Sequence, residues 1–283
     1  VRTAVVGHVE WVESIRVDQL PRSGEIAHGV LAWSLPAGGG AVAAVQLARL
    51  AGACDFFTAL GNDEVGERAH RRLTELGLTL HVAWRDAPTR RGVTMVEPDG
   101  ERTITTIGDR LRPEAHDALP WHDLASVDAV YVCATDEGGL HAARTARVLT
   151  ATPREGPTLR TADVLLDALI GSGRDPAEQY ERGRIEPEPR VVVRTEGLHG
   201  GSWETANGQA GRYEAAGRPN PEPGVEPDAY GCGDSFAAGL TFALGLGEAL
   251  PDALRVAARC GATCAAGSGP YQRQLTAADL PDH

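Results

Sequence analysis

The stretch Asp228-Ala-Tyr-Gly-Cys-Gly-Asp-Ser-Phe-Ala-Ala-Gly-Leu240 joins a glycine turn, an acid and the start of a helix. Gly231 and Gly233 bracket one small residue, so the backbone there can take φ values closed to most side chains and approach a ligand closely. From Asp234 onward the pattern is helical, with Phe236, Leu240 and Ala243 on one face. The turn therefore sits at a helix N-terminus, where the first amides lack intrahelical partners, the macrodipole is positive and anions collect. In that setting the amides of Gly231, Cys232 and Gly233 can cradle a phosphoryl group while Asp234 accepts a proton from a hydroxyl. The same residues also fit a plain glycine turn with Asp234 as helix cap, and spacing alone leaves both readings open.

Composition narrows the choice. A chain of 283 residues, 42% hydrophobic, can bury the core of one large α/β domain. No apolar run approaches the roughly 20 residues that span a bilayer. Val1 to Val6 reads as a strand rather than a leader, and the expectation is a cytoplasmic protein. The five cysteines fit a reducing compartment; Cys260 and Cys264 are one helical turn apart, but without a nearby partner they read as small core residues rather than a zinc site. A net charge of −12 argues against nucleic acid as a partner. The sequence also contains no lysine, all 27 basic residues being arginine. That removes the P-loop lysine, the protein-kinase strand lysine and any Schiff base, so a nucleotide would have to be held by backbone amides, arginine and metal.

Upstream, residues 3 to 9 form a buried strand with Glu10 and Glu13 just past its end, the position where open α/β sheets place ligand contacts. Residues 12 to 33 carry no helical period and predict short strands away from the main sheet. Gly38-Gly39-Gly40 opens an alanine-rich helix and offers a second backbone cradle. Gly38, Gly40 and Ala43 also satisfy a dinucleotide fingerprint, but some thirty residues separate it from the first strand, which argues against that use. Cys54 to Leu60 predicts a strand, and Gly61-x-Asp63-x-x-Gly66 leads into a helix ending at Gly77. Two short strands around Pro98-Asp99-Gly100 predict a hairpin. Val127 to Cys133 and Arg190 to Thr195 predict further strands, with a short helix near Glu178 between them, while Leu159 to Ile170 fits strand or helix.

Taken in order, these features resemble the ribokinase-like (PfkB) carbohydrate and nucleoside kinases over essentially the whole chain. The residues that carry the resemblance are Gly38-Gly39, Gly61-x-Asp63-x-x-Gly66, Pro88-Thr89, Gly100-Glu101-Arg102-Thr103, Thr195-x-Gly197-x-x-Gly200 and Asp228-x-x-Gly231-x-Gly233-Asp234-x-Phe236-x-x-Gly239. The resemblance implies an α/β fold with a doubly wound, mostly parallel sheet flanked by helices. It implies one domain over 1–283 with a small β-sheet lid from segments about 10–35 and 88–108, which in such kinases often also joins a homodimer. It further implies transfer of the ATP γ-phosphoryl group, with Mg2+, to a hydroxyl of a sugar-like molecule. Asp234 would be the base and Gly231 to Gly233 the anion hole; Thr195, Gly197, Gly200 and Gly269 would line the nucleotide side. Glu10, Gly38 and Gly39 would meet the substrate, and Asp228 with the backbone near Gly269 would match a monovalent-cation site such as one for K+.

Some positions depart from the pattern. Ala43 stands where the family usually has a sugar-binding Asn, and Val12 lies near the position of a substrate-gripping Asp, leaving Glu10 or Glu13 as substitutes. No Asn-x-x-Glu motif is legible between Leu166 and Glu178; Asp175 and Glu178 are candidates to substitute, and the magnesium ligands stay unassigned. Glu196 puts an acid near the nucleotide, and Tyr230 replaces a usual Thr. A nucleoside kinase using Trp11 and Trp33 as a base slot, and a catalytically impaired ligand-binding relative, are the alternatives. Arg90, Arg91 and Arg102 read either as contacts to an acidic sugar or as exposed hairpin charges, the second being favoured.

Overall fold

The computed structural model describes residues 1–98, 100 and 102–280. Asp99 of the expected hairpin turn and Glu101 of the Gly100-Glu101-Arg102-Thr103 step lie outside the described residues. In chain order the first half holds β1 (Thr3–Val6), β2 (Glu10–Arg16), β3 (Val30–Ala37), α1 (Gly39–Ala51), β4 (Asp55–Gly61), α2 (Glu64–Glu75), β5 (Thr79–Arg85), β6 (Arg91–Val96) and β7 (Arg102–Ile107). Then follow β8 (Ala129–Val132), α3 (Glu137–Ala143), β9 (Val148–Ala151), α4 (Gly156–Thr161) and β10 (Ala168–Ser172). The last part holds β11 (Val191–Thr195), β12 (Gly201–Thr205), β13 (Ala210–Tyr213), α5 (Cys232–Leu246), α6 (Leu250–Cys264) and α7 (Gly269–Gln272).

Nine of the described strands form one sheet in the order β13-β12-β11-β10-β9-β8-β1-β4-β5. From β11 to β5 every neighbour pair is parallel, and β12 and β13 close the other end antiparallel. Alternating side chains make two cores, as a sheet covered on both faces requires. Val5 and Phe56 point into the core shared with α1, α5 and α6, whereas Ala4, Val6 and Phe57 point into the one shared with α3. Strand order reverses at β1, which pairs with both β4 and β8, so the crevice beyond β1 and β8 is the expected ligand position of such a sheet.

The remaining strands form a second sheet, β3-β2-β6-β7, antiparallel at both ends with a parallel β2–β6 pair in the middle. Residues 12 to 33 and the hairpin therefore do meet outside the main sheet, as the pattern predicts. The segment from Leu159 to Ile170 holds both elements that its pattern allowed, the end of α4 and then β10. Cys260 and Cys264 are buried on α6; Gly239 of α5 lets that helix approach, since an added β-carbon would lie 2.6 Å from Cys260 Sγ. Among the described residues no helix is long and apolar enough to cross a membrane.

Candidate active site

Two helix starts converge on one carboxylate. Gly38, at φ +87°, precedes α1, and Gly231, at φ +82°, precedes α5, each a left-hand backbone value that glycine adopts without strain. A β-carbon on Gly39 would lie 3.0 Å from Asp234 Oδ1, so the Asp234 carboxylate rests against the first turn of α1 while belonging to the first turn of α5. The N–H groups of both turns are unpaired by helix geometry and add positive potential there. Gly233 has open space where a side chain would stand, which leaves its amide accessible. Cys232 N makes a long turn contact of 3.4 Å to Ala229 O, so Gly233 and Asp234 supply the freer amides of the proposed cradle. Asp234 is pushed up to about 6 by desolvation first and by Glu178 next, with Arg102 and Arg154 opposing. An acid titrating there is placed to accept a proton near neutral pH.

Glu10, expected to meet the substrate, is the first residue of β2 and buried. It meets Arg90 Nη1 at 3.2 Å and the His8 ring at 3.6 Å. A β-carbon on Gly38 would lie 3.2 Å from that ring and 3.3 Å from Glu10 Cγ, so Gly38, Gly39, His8, Glu10 and Asp234 form one wall. His8 stays neutral: burial, then Arg110, Arg90 and Arg154, push it down to about 3. The ring is the satisfied polar group that its position beside β1 implies, resting also against Cys133 Sγ at 3.7 Å. Arg90 is correspondingly not an exposed hairpin charge, being 20% exposed and donating to Thr106 Oγ1 at 2.7 Å as well as to Glu10. Arg91, paired to Glu13 at 3.6 Å and half-exposed, does fit the hairpin reading.

Beyond β10 the chain turns through Asp175 and Glu178, both held by Arg154, with Glu178 Oε1 2.6 Å from its Nε. Glu178 Oε2 accepts Ser172 N at 2.7 Å, and its charge reaches Asp234. Asp175-Pro176-Ala177-Glu178 thus stands at the end of a central strand with the spacing of the missing motif, its first residue Asp rather than Asn. Thr195 ends β11 beside Ser172 of β10, and the turn Gly197–His199 follows, with Gly197 at φ +63° and Gly200 at φ +75°. Arg212 neutralises Glu196, 2.6 Å away, so this acid adds little negative field to the nucleotide side.

Asp228 and Gly269 are placed together by a hydrogen bond. Asp228 accepts Tyr230 N at 2.9 Å, Gly269 N at 2.9 Å and Trp33 Nε1 at 3.0 Å. Asp63 is likewise structural: it caps α2 through Gly66 N at 2.7 Å and takes Thr89 N and Oγ1 at 2.8 Å each, fixing the chain where it enters β6. The residues that sequence reasoning did not reach are Arg110 and Arg154, while Asp175 and Glu178 were named only as candidate substitutes for a missing motif. Their one legible signal is the Asp-x-x-Glu spacing after an apolar strand; the arginines reach the site only through the fold.

The sequence profile of the pfkB family carbohydrate kinases matches residues 2–184. The chain is 28% identical to an ATP-dependent ribose-1-phosphate kinase of Halopiger xanaduensis, over 95% of this chain and 93% of that protein. It is 31% identical to an acarbose 7(IV)-phosphotransferase of an Actinoplanes species, over 72% of this chain and 71% of that one. The fold matches ribokinase of Cryptococcus neoformans in complex with ADP, with a TM-score of 0.73 at 22% identity over 98% and 97% of the two chains. It also matches adenosine kinase of Sinorhizobium meliloti, with a TM-score of 0.74 at 16% identity over 98% and 97%. The glycine-framed acid at the meeting of two helix starts, the reversal of strand order beside it and the family profile agree: this chain belongs to the pfkB family of carbohydrate kinases.

Proposed function

We propose that this kinase moves the γ-phosphoryl group of ATP onto a hydroxyl of a small sugar that already carries an anionic group. The observation that carries the transfer is Asp234, held against the first turns of α1 and α5 and pushed up to about 6. In the mechanism Asp234 takes the hydroxyl proton and the substrate oxygen attacks the γ-phosphorus in line. The bond from that phosphorus to the bridging oxygen breaks and ADP leaves with the bridging oxygen, while the amides at Gly233 and Asp234 face the negative charge that spreads over the phosphoryl oxygens. Thr195, Gly197 and Gly200 form the nucleotide wall; Glu10, Gly38 and Gly39 form the acceptor wall. Asp175 and Glu178 are held by Arg154, so they would receive magnesium, an ion usually held by one or two carboxylates plus phosphate oxygens, only with Arg154 turned away onto phosphate. Among the described residues no larger cluster of metal ligands competes with them. Bound there, the ion would neutralise phosphate charge. The small sheet acts as a lid within a single domain, and a second copy pairs with it through the exposed Ile104 and Ile107 of β7, which sedimentation at rising concentration checks.

The anionic acceptor is supported by one arginine. Arg90, Arg110 and Arg154 pair with Glu10, Glu155 and Asp175–Glu178, so the support rests on Arg102, an exposed guanidinium whose charge reaches Asp234. The ribose-1-phosphate kinase relative is named for a phosphorylated sugar. Both tryptophans that would have made a base slot are engaged within the protein, Trp11 with Ser34 at 2.8 Å and Trp33 with Asp228, which disfavours a nucleoside. The Asp175–Glu178 pair also disfavours a catalytically impaired relative. Steady-state kinetics with ribose, ribose 1-phosphate and adenosine test the reading. Arg102→Ala, on an exposed residue, should raise KM for the phosphorylated sugar about tenfold, the worth of one charge-assisted bond, and leave KM for ribose unchanged. Equal turnover of neutral and phosphorylated sugar by the wild type would remove the anionic part of the reading.

A further inference from the structure

We infer that Trp33 replaces a monovalent cation at Asp228, so that the loop before α5 is held by an indole N–H in place of K+. The family resemblance implies a cation bound by Asp228, and the groups around that carboxylate do not fit one. A potassium ion is held by a shell of oxygen acceptors turned inward. Here the atoms turned toward Asp228 are donors. Oδ2 takes Trp33 Nε1–H at 3.0 Å and Gly269 N–H at 2.9 Å, which occupies both its lone pairs, and Oδ1 takes Tyr230 N–H at 2.9 Å.

Three neighbouring carbonyl oxygens each already accept one protein donor, on one of their two lone pairs. Gly267 O accepts Asp228 N at 3.0 Å, Ala229 O accepts Cys232 N at 3.4 Å, and Tyr230 O accepts the Cys264 thiol at 3.5 Å. Asp228 is only 4% exposed, and a carboxylate buried to that extent requires compensation, which three N–H donors provide without an ion.

Packing holds the indole in place. A β-carbon on Gly269, which sits at φ +72°, would lie 3.0 Å from Trp33 Nε1, so only glycine admits the ring. Tyr230, the residue that replaces a usual Thr, meets the indole edge to face with centroids 5.2 Å apart. The partner belongs to a different sheet: Trp33 is on β3 and Asp228 precedes α5, so the small sheet and the phosphoryl-binding loop share one bond. Arg16 of β2 makes a second tie to this segment, 2.9 Å from Glu226 Oε2. Trp33 is therefore a positioning residue whose hold on the loop is set by the position of the small sheet, a coupling that a diffusible ion would not provide.

The inference uses the kinase reading only for its catalytic consequence, and the test separates the two. In 15N-labelled wild-type protein without substrates, the Trp33 indole N–H signal, identified by its loss in Trp33→Phe, should exchange slowly with solvent. It should not move when choline chloride is replaced by potassium chloride. In the kinase assay the wild type should turn over equally, within about twofold, in the two salts. Trp33→Phe keeps the apolar body and loses the donor; its kcat should fall about tenfold in either salt. A potassium-dependent shift of the indole signal, or an approximately tenfold activation of the wild type by potassium, would overturn the inference. So would a Trp33→Phe enzyme with unchanged kcat. If the wild type had no kinase activity, the proposed reaction would fail while the NMR experiment still decided the bond.

Discussion

Asp228 and Asp234 stand at the two ends of one loop, and their surroundings treat them oppositely. Asp228 is buried and has N–H donors from three directions, one of them from another sheet. Asp234 faces the crevice, is desolvated and lies near Glu178, so its proton is held up to about 6. A carboxylate wrapped in donors serves as a structural hydrogen-bond acceptor; one that is desolvated beside another acid is poised to exchange a proton near neutral pH. The loop therefore separates holding from reacting over a single turn of chain, and each residue can be altered to test that division.

The largest effect is expected from Asp234→Asn. It should lower kcat by about 10²–10⁴-fold, the usual worth of a general base, with ATP binding by calorimetry retained. In the wild type kcat/KM should fall as pH drops below about 6, because the base must be ionised. Stability follows from the same shift. The folded chain binds this proton more tightly than the unfolded chain, whose ordinary value is 3.8, so ionisation weakens the fold as pH rises from 3.8 to about 6. Asp234→Asn should accordingly melt above the wild type at pH 7, with the gap closing below pH about 4. An Asn variant that melts lower at both pH values would mean that Asp234, like Asp228, is structural.

Gly233→Ala should cost about 10²-fold in kcat/KM while leaving the melting temperature unchanged, since the new methyl enters open space on the ligand side. A lower melting temperature with full activity would reverse the assignment. Asp228→Ala is expected to act mainly on stability, because it strands three donors, at about 1–3 kcal/mol for each one left buried and unpaired. Urea unfolding measures it; a kcat loss as large as that of Asp234→Asn would dissolve the contrast between the two acids. The smallest effect should come from Glu196→Ala. Its partner Arg212 is exposed and the pair lies at the surface, so KM for ATP should change by no more than about twofold.

Much of the fold was legible because its signals are local. Apolar runs gave β1, β4, β8 and β11, and the segment from 12 to 33 without helical period, together with the hairpin around Pro98 to Gly100, indicated a separate sheet. β9 was not legible: its four residues are buried, and a run of that length carries no period of its own. The site was legible at its glycines: Gly38 and Gly231 take left-handed backbone values, and Gly39 makes room for the Asp234 carboxylate, whereas the expected special backbone at Gly233 is not found, its φ being ordinary. It was illegible where long side chains reach across the fold. Arg110 and Arg154 act on His8 from more than a hundred positions away in sequence, which no spacing rule can register.

By itself the sequence determined the chemistry that backbone and composition control. A chain without lysine that places an acid just after a glycine turn at a helix start must meet phosphate with amides and arginine. Only the tertiary structure decided how the two acids of the loop are surrounded. Solvation, neighbouring charge and hydrogen-bond donors set a carboxylate's behaviour, and these come from segments far apart in the chain: Glu178 and Gly39 beside Asp234, Trp33 and Gly269 beside Asp228.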